Sequence, residues 1–426
     1  MFVFQREIQA LEVKQVYDGK SLEHLLALPV DEIKDSNRQL LFDFYLANHN
    51  EATKAQLSAL RAARDQRSQL VDGVTEIMVM QDMENRRQTY RLERGAYDAP
   101  QEPVEPGVPA ALAIPDKEFS PDRLGLAKWL TDSANPLAGR VVVNRVWQMM
   151  FGAGFVHTPE DFGSQGLSPT HPRLLDWLTR DFMDNGWDVK RLVKQIAMSA
   201  TYQQDSVTTD EKQQLDPENK LLARGPLNQL PAEMLRDNVL FTSGLLVDKR
   251  GGPPAKPYEL TASFKPVGKD NGEGLYRRSV YTYWKRTAPA PVMMTLDASK
   301  REVCVVKRER TASPLQAIVM LNDPQMVEAA RVFADRVFEK YPEVTKDVLA
   351  LVFRMLTSRS PSGAELEVIK LGYEEQLKYF ETHPDRIQEL MKTGDKPAVD
   401  VTSKERAALT IVVSTLLSFD ESVMKR

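Results

Sequence analysis

A single cysteine in 426 residues, Cys304, closes several routes at once. It excludes an intramolecular disulfide, a cysteine-rich zinc site and a C-x-x-C-H haem attachment within this chain. Inside EVCVV it reads as a small buried hydrophobe. A nucleophilic role would need a histidine partner, and the nearest in sequence, His171 and His383, are distant. The five histidines (His24, His49, His157, His171, His383) are scattered, so no metal site is expected. No apolar run approaches the ~20 residues of a membrane helix, so no membrane span is expected. The opening MFVFQREIQALEVKQ is charged within six residues and holds no apolar core of signal-peptide type. The expectation is a soluble cytoplasmic protein, or a piece of a longer one whose targeting signal lies elsewhere. Basic excess is missing too. A net charge of -4, a pI near 5.9 and no RNA- or DNA-binding signature argue against nucleic acid as a partner. The glycine-rich nucleotide loops, H-E-x-x-H and G-x-S-x-G are absent.

The composition that remains, 42% hydrophobic and 27% charged, is that of an ordinary globular chain with material for two or three domains. Residues 1–97 read as an N-terminal helical and hairpin segment. Residues 1–20 are expected to be extended, SLEHLLAL and NRQLLFDFYLANH helical, and Glu51 to Gln69 a helix with a thin apolar stripe. TEIMVM (75–80) and QTYRLE (88–93) read as paired strands, closed by Arg94-Gly95. Between Asp98 and Pro121 stand six prolines, so residues 98–121 read as an irregular linker.

From 122 to 426 the expected fold class is mainly α, a multi-helix domain with a small β-containing insert at about 245–310. Ser-Pro or Asp-Pro recurs at 120, 168, 313, 323 and 360. The oxygen can accept an orphan first-turn N–H, and proline at the first helical position has no N–H to orphan. Apolar periodicity predicts helices over 122–132, 138–150, 172–183, 189–202, 232–243, 314–321, 324–339, 346–357, 361–380 and 403–417. Residues 381–401 read as loop. Within the insert, 278–285 and 302–307 read as strands.

The charge is unevenly spread. From Gly274 to Arg310 nine Lys/Arg face three Asp/Glu, a net of about +6, in a chain of -4. Four aromatics, Tyr276, Tyr281, Tyr283 and Trp284, share the stretch. If 277–286 is a strand, Arg277, Tyr281, Tyr283 and Lys285 share one face, and Arg278, Val280, Thr282, Trp284 and Arg286 the other. Guanidinium groups supply bidentate hydrogen bonds to carboxylate, sulfate or phosphate, and the rings supply a stacking platform. The candidate ligand-binding set is therefore Arg277, Arg278, Tyr281, Tyr283, Trp284, Arg286, Arg308 and Arg310. The competing expectation is that these cations pair with acidic helices of the same chain.

A second constellation lies in VVVNRVWQMMFGAGFVHTPEDFGSQG. His157, Glu160 and Asp161 are candidate catalytic groups, since two acids and an imidazole can divide acid and base roles. Adjacent residues on an extended loop point apart, which favours instead an Arg145 pairing that locks the loop to its helix.

The residues that are most distinctive run in a fixed order. RLGLAKWLTDSANPLAGRVVVNRVWQMMFGAGFVHTPEDFGSQG precedes HPRLLDWLTRDFMDNGWDVKRLVKQIAMSATYQQ. GGPPAKPY, then GEGLYRRSVYTYWKRTAPAPVMMTLDASKREVCVVKRERTASPLQAIVMLNDPQMVEAAR, then TLLSFDE follow. From about Arg94 onward this resembles the C-terminal domain of unknown function of planctomycete cytochrome-associated surface proteins, the PSD domain. The resemblance implies a long exported protein with an upstream cytochrome c domain, a second helical domain and often a lectin-like β-sandwich. It implies a periplasmic or cell-surface location and a polysaccharide setting. Haem c is then expected only on an upstream domain, so no cofactor is expected in this chain. The resemblance brings no catalytic residues with it. Three functions follow as expectations: an accessory module binding an anionic polysaccharide or glycan, a carbohydrate-active hydrolase using Glu160, Asp161 and His157, or a scaffold docking the upstream cytochrome and lectin-like domains.

Overall fold

The computed structural model describes residues 10–94, 96–115, 117–259 and 267–425. It divides into two compact units, Met1–Val104 and Glu105–Arg426.

In the first unit, the expected extended start is instead the helix Ala10–Asp18, which buries Leu11; residues 1–9 lie outside the described part. Ser21–Ala27, Asp35–Asn48 and Glu51–Asp72 follow as helices. Asn50 caps the last by accepting from the Thr53 amide. That helix buries none of its residues, in keeping with its thin apolar stripe. The β pairing differs from expectation. TEIMVM is exposed and irregular, and Thr89–Leu92 pairs antiparallel with Pro100–Val104. The first part of the proline-rich stretch is thus a strand. Both strands of this two-stranded ribbon are edges, where a proline without an N–H is tolerated. Of the Arg94-Gly95 pair expected to close the hairpin, Gly95 lies outside the described residues.

The second unit is helical, as expected. At its centre Pro324–Lys340 packs on Lys404–Leu417. Ala329, Ala330 and Ala334 on one helix and Ala407 and Ala408 on the other are fully buried, and such small side chains let two backbones approach closely. Ala232–Ser243, Lys346–Thr357 and Gly363–Thr382 pack around this pair. A second apolar cluster joins Ala138–Phe151, Pro172–Asp184 and Val189–Ala197. There the Trp147 ring stacks between Phe151 and Phe155, with centroids 4.2 and 4.0 Å away. Residues 381–401 are not all loop. Pro384–Met391 is a helix that buries Ile387 and Met391, opened by His383-Pro384. Its apolar stripe is a single i,i+4 pair, too short to show a period.

Two of the five proline starts hold. Ser313 forms a capping box with Gln316, and Asp323 accepts from the amides of Gln325 and Met326. At the others the helix starts further downstream, twice on a residue that caps it. Asp122 caps Arg123–Leu130, Pro172–Asp184 begins after His171, and Ser362 forms a capping box with Glu365 on Gly363–Thr382. Reciprocal satisfaction of two amides outweighs a proline two residues earlier.

Glu365 also closes a three-residue ion network. Arg359 donates to Glu365 Oε1 at 2.6 Å and to Glu421 Oε2 at 2.5 Å. The Arg359 bonds, with further bonds from Ser362, lower the Glu365 carboxyl to about 2. A depressed folded pKa gives stability that is present above the unfolded value, about 4.3, and is lost as pH falls towards 2. Because the pair is part-exposed, the effect is modest. Wild-type thermal midpoints should therefore fall more steeply between pH 4.5 and 2 than those of Glu365→Gln; parallel curves would dismiss the network as a source of acid sensitivity.

The β content of this unit is slight. Asn228–Gln229 pairs with Met424–Lys425. Among the described residues the insert holds the isolated parallel bridges Val247 with Arg277 and Ala255 with Thr282, and 3₁₀ turns at Gly272–Tyr276 and Ser279–Tyr281. Residues 278–285 and 302–307 form no strands, because neither has a ladder partner. Cys304, expected in the core, is exposed. Among the described residues no helix is long and apolar enough to cross a membrane.

Candidate functional site

The basic-aromatic stretch is largely built into the protein. Arg236, on the helix Ala232–Ser243, is 1% exposed. It donates to the carbonyls of Leu275 (2.7 Å) and Arg277 (2.9 Å) and to Ser279 Oγ (3.1 Å). Asp237 accepts from the Ser279 amide at 2.7 Å. These bonds fix the backbone of 275–279 in a non-strand conformation. Its side chains then hold the loop opposite. Arg277 is buried and donates to the carbonyls of Lys249, Gly251 and Pro253 at 2.9, 2.5 and 2.9 Å. Its guanidinium lies 4.2 Å above the Tyr281 ring, whose hydroxyl accepts from the Gly251 amide.

The other candidates divide. Arg278 pairs with Asp248 at 2.6 Å and Arg308 with Glu233 at 2.8 Å. The Arg278–Asp248 bond holds that carboxyl below its ordinary value. Tyr283 is half-buried, with Lys256 Nζ 6.0 Å from its ring centre. Trp284 packs against the main core, donates to the Lys300 carbonyl at 2.8 Å and carries the Arg301 guanidinium 4.8 Å above its ring. Arg286 and Arg310 are exposed, and among the described residues neither has an ion-pair partner. Although Arg310 is exposed, desolvation by its surroundings, then the neighbouring Arg308 charge, lowers its guanidinium from the usual value. The same holds for pairing at Lys300, Arg301 and Lys307, all exposed and unpaired among the described residues. So of the candidate arginines only Arg277 is held inside the fold, Arg278 and Arg308 are paired at its surface, and the cations without ion-pair partners stand at 286 and 300–310.

The second constellation is split. A cleft of about 360 Å³ is lined by His157, Ser206, Gln213, Glu218, Lys220 and Asn228 among others, over Trp147 and Phe151. Glu160 and Asp161 do not line it. Glu160 is exposed. Asp161 turns back on its own loop, accepting from the Gly163 amide at 2.6 Å. Arg145 is exposed and pairs with neither acid among the described residues. The loop is locked instead by its neighbour, the fully buried Asn144. Its Oδ1 accepts from the Val156 amide at 2.9 Å and its Nδ2 donates to the Val156 carbonyl at 3.1 Å. Gly152, at φ +88°, turns the chain off its helix, and a Cβ there would meet the Asn228 side chain at 2.0 Å. Burial, then the Lys220 charge, lowers the His157 imidazole below its ordinary value, with Glu218 opposing and Lys307 reinforcing. Glu218 and Lys220 are paired at 2.8 Å. His157 has no hydrogen-bond partner among the described residues.

A family model described as PSD1, a protein of unknown function (DUF1553), matches residues 122–372. The chain belongs to the PSD1 family. No curated protein and no solved structure matches it. The PSD1 span contains both the cleft and the basic insert. It stops short of Lys404–Leu417, which completes the core of the same unit. Among the described residues no three His, Cys, Asp or Glu side chains are grouped to hold a metal ion.

The wall of this cleft at 206–228 had no motif to announce it. Asn144 did leave a signal, a lone amide within the apolar run VVVNRVW. A buried amide must find partners, and a loop backbone can supply both.

Proposed function

We propose that this PSD1 domain is a non-catalytic binding module for an anionic polysaccharide, carried by an exported, cytochrome-linked surface protein. The observation that carries this reading is the set of five exposed cations in residues 286–310 that have no ion-pair partner among the described residues, Arg286, Lys300, Arg301, Lys307 and Arg310. They stand in a chain whose net charge is -4. Glu302 and Glu309 stand among them, and the remaining surplus of positive charge on this strip of an otherwise acidic chain attracts polyanions at range. Trp284, with Arg301 over its ring, adds an aromatic surface beside the cations. Extended sulfated or carboxylated chains suit such a strip better than a compact ligand, because each cation makes an independent and salt-sensitive contact.

The reading does not need an active site. The hydrolase alternative loses two of its three members from the cleft, since only His157 lines it. Calorimetric titration with dextran sulfate and with neutral dextran separates the readings. Dextran sulfate should bind, and replacing Arg286, Arg301 and Arg310 with serine should weaken binding at least tenfold at low salt. Equal uptake of neutral dextran, or a triple variant that binds like wild type, would refute the assignment.

A further inference from the structure

The His157 cleft goes unused in this reading, and its chemistry differs from that of the cationic strip. It is concave, and its volume of about 360 Å³ falls at the lower end of small-molecule pockets. Its walls are hydroxyl, amide and imidazole groups: Ser206, Thr208, Gln213, Asn228 and His157. Its floor is the edge of the Trp147–Phe151 stack. Several of these polar groups are uncommitted. His157, Ser206 and Gln213 make no side-chain hydrogen bond among the described residues. Asn228 donates to the Phe151 carbonyl at 2.9 Å, which fixes its amide at the rim. Arg224 is spent on the carbonyls of Asp216 and Pro217, at 3.0 and 2.8 Å, and holds the far wall. Lys220 is already neutralised by Glu218, whereas Lys307, from the insert, acts on His157 and is unpaired. The charged groups that line the cleft are Lys220, Arg224 and Glu218, a surplus of one positive charge, while Lys307 acts on His157 from outside the lining.

We infer that the cleft is a binding site for a single sugar acid: a ring-sized polyol bearing one carboxylate. The hydroxyls of such a ligand match the free donors and acceptors of His157, Ser206 and Gln213. A neutral imidazole offers one of each. The carboxylate answers the surplus positive charge of Lys220 and Arg224 in the cleft wall. The aromatic floor suits the apolar face of a sugar ring. This site is separate from the strip that binds polymer, and it takes a ligand of one unit.

The experiment is a titration of the full chain with D-glucuronate, D-glucose and inorganic sulfate, followed by NMR of the His157 ring and by calorimetry. D-Glucuronate should bind at one site per chain and move the His157 titration upward, since a carboxylate beside an imidazole favours its charged form. D-Glucose should bind at least tenfold more weakly and leave that titration in place. Sulfate alone should not compete. His157→Ala should weaken glucuronate binding at least tenfold, whereas His157→Gln, which keeps a donor and an acceptor, should restore most of it. Arg286→Ser, on the cationic strip, should leave it unchanged. Absence of saturable glucuronate binding overturns the inference, as does a His157 titration indifferent to it. Glucose binding of equal strength, or displacement by sulfate, overturns the assigned ligand class. The wild-type titration decides the matter even if the alanine variant fails to fold, and dextran sulfate binding is read independently of it.

Discussion

Glu328→Ala should lower the free energy of unfolding by about 3–5 kcal/mol, the largest effect of any single substitution considered. Glu328 lies on the central helix Pro324–Lys340 and is 1% exposed. One carboxylate oxygen accepts from the Tyr276 hydroxyl at 2.8 Å and from the amides of Asp395 and Lys396 at 2.9 and 2.6 Å. Arg331, one turn on, donates to the Lys396 carbonyl and pairs with Asp335 at 3.5 Å. Asp335 in turn pairs with Arg406 of the facing helix at 2.6 Å. The carboxylate therefore fastens both the insert, through Tyr276, and the 394–396 turn to one helix. Gly394 sits at φ +96°, and a Cβ there would meet Glu328 at 2.5 Å, so the turn closes directly over the side chain. Alanine would leave the buried Tyr276 hydroxyl and the two part-buried amides without their acceptor, at up to roughly 1–3 kcal/mol each before relaxation. Burial and this hydrogen bond hold the Tyr276 hydroxyl well above the ordinary tyrosine range, so it stays a donor at any working pH. Urea denaturation measures the effect. A loss under about 1 kcal/mol would show that water or a rearranged turn replaces the carboxylate.

Arg277→Ala should cost about 2–4 kcal/mol in stability while leaving dextran sulfate affinity within twofold of wild type. The three carbonyls that Arg277 satisfies belong to an irregular stretch, 249–253, which has no ladder to satisfy them. Removing the guanidinium also uncovers the Tyr281 ring. Lysine is a poor substitute, since one ammonium cannot reproduce a fork that spans three acceptors. Thermal melting and binding must be measured on the same protein. A variant that keeps its stability but loses polyanion affinity would return Arg277 to the ligand-binding set.

Much of the helical frame was legible because its helices repeat apolar residues at the 3.6 period and carry strong caps. Pro324–Lys340 and Lys404–Leu417 were placed to within a residue at either end. The insert was not legible in the same way. Its arginines and aromatics mimic an alternating strand, yet strand formation needs a partner, and Arg236, Gln325 and Asp237 bind the same backbone groups first. Those three residues are 39 or more positions away from the stretch they shape, beyond the reach of any local pattern. Cys304 was misplaced for a related reason. EVCVV has the composition of a buried strand but is exposed, with Val303 at 73%. At the second constellation, adjacency suggested Arg145 as the lock for the loop, whereas the helical turn points Asn144 inward and Arg145 out. His157 was found because an imidazole in a glycine-rich loop stands out. Lys220 and Glu218, which complete its surroundings, come from a stretch with no pattern of its own.

The central claim, a polyanion strip made of the cations that the fold leaves unpaired, is tested most directly by the salt dependence of binding. The logarithm of the dextran sulfate association constant should fall linearly with the logarithm of sodium chloride concentration, because each neutralised charge releases counterions. In the triple variant Arg301→Ser, Lys307→Ser and Arg310→Ser, the slope should become shallower by about two to three, roughly one for each cation removed. In the double variant Arg278→Ser and Arg308→Ser, whose cations are paired with Asp248 and Glu233, it should stay close to that of wild type. A slope unchanged in the triple variant, or one that collapses in the double variant alone, would contradict the claim.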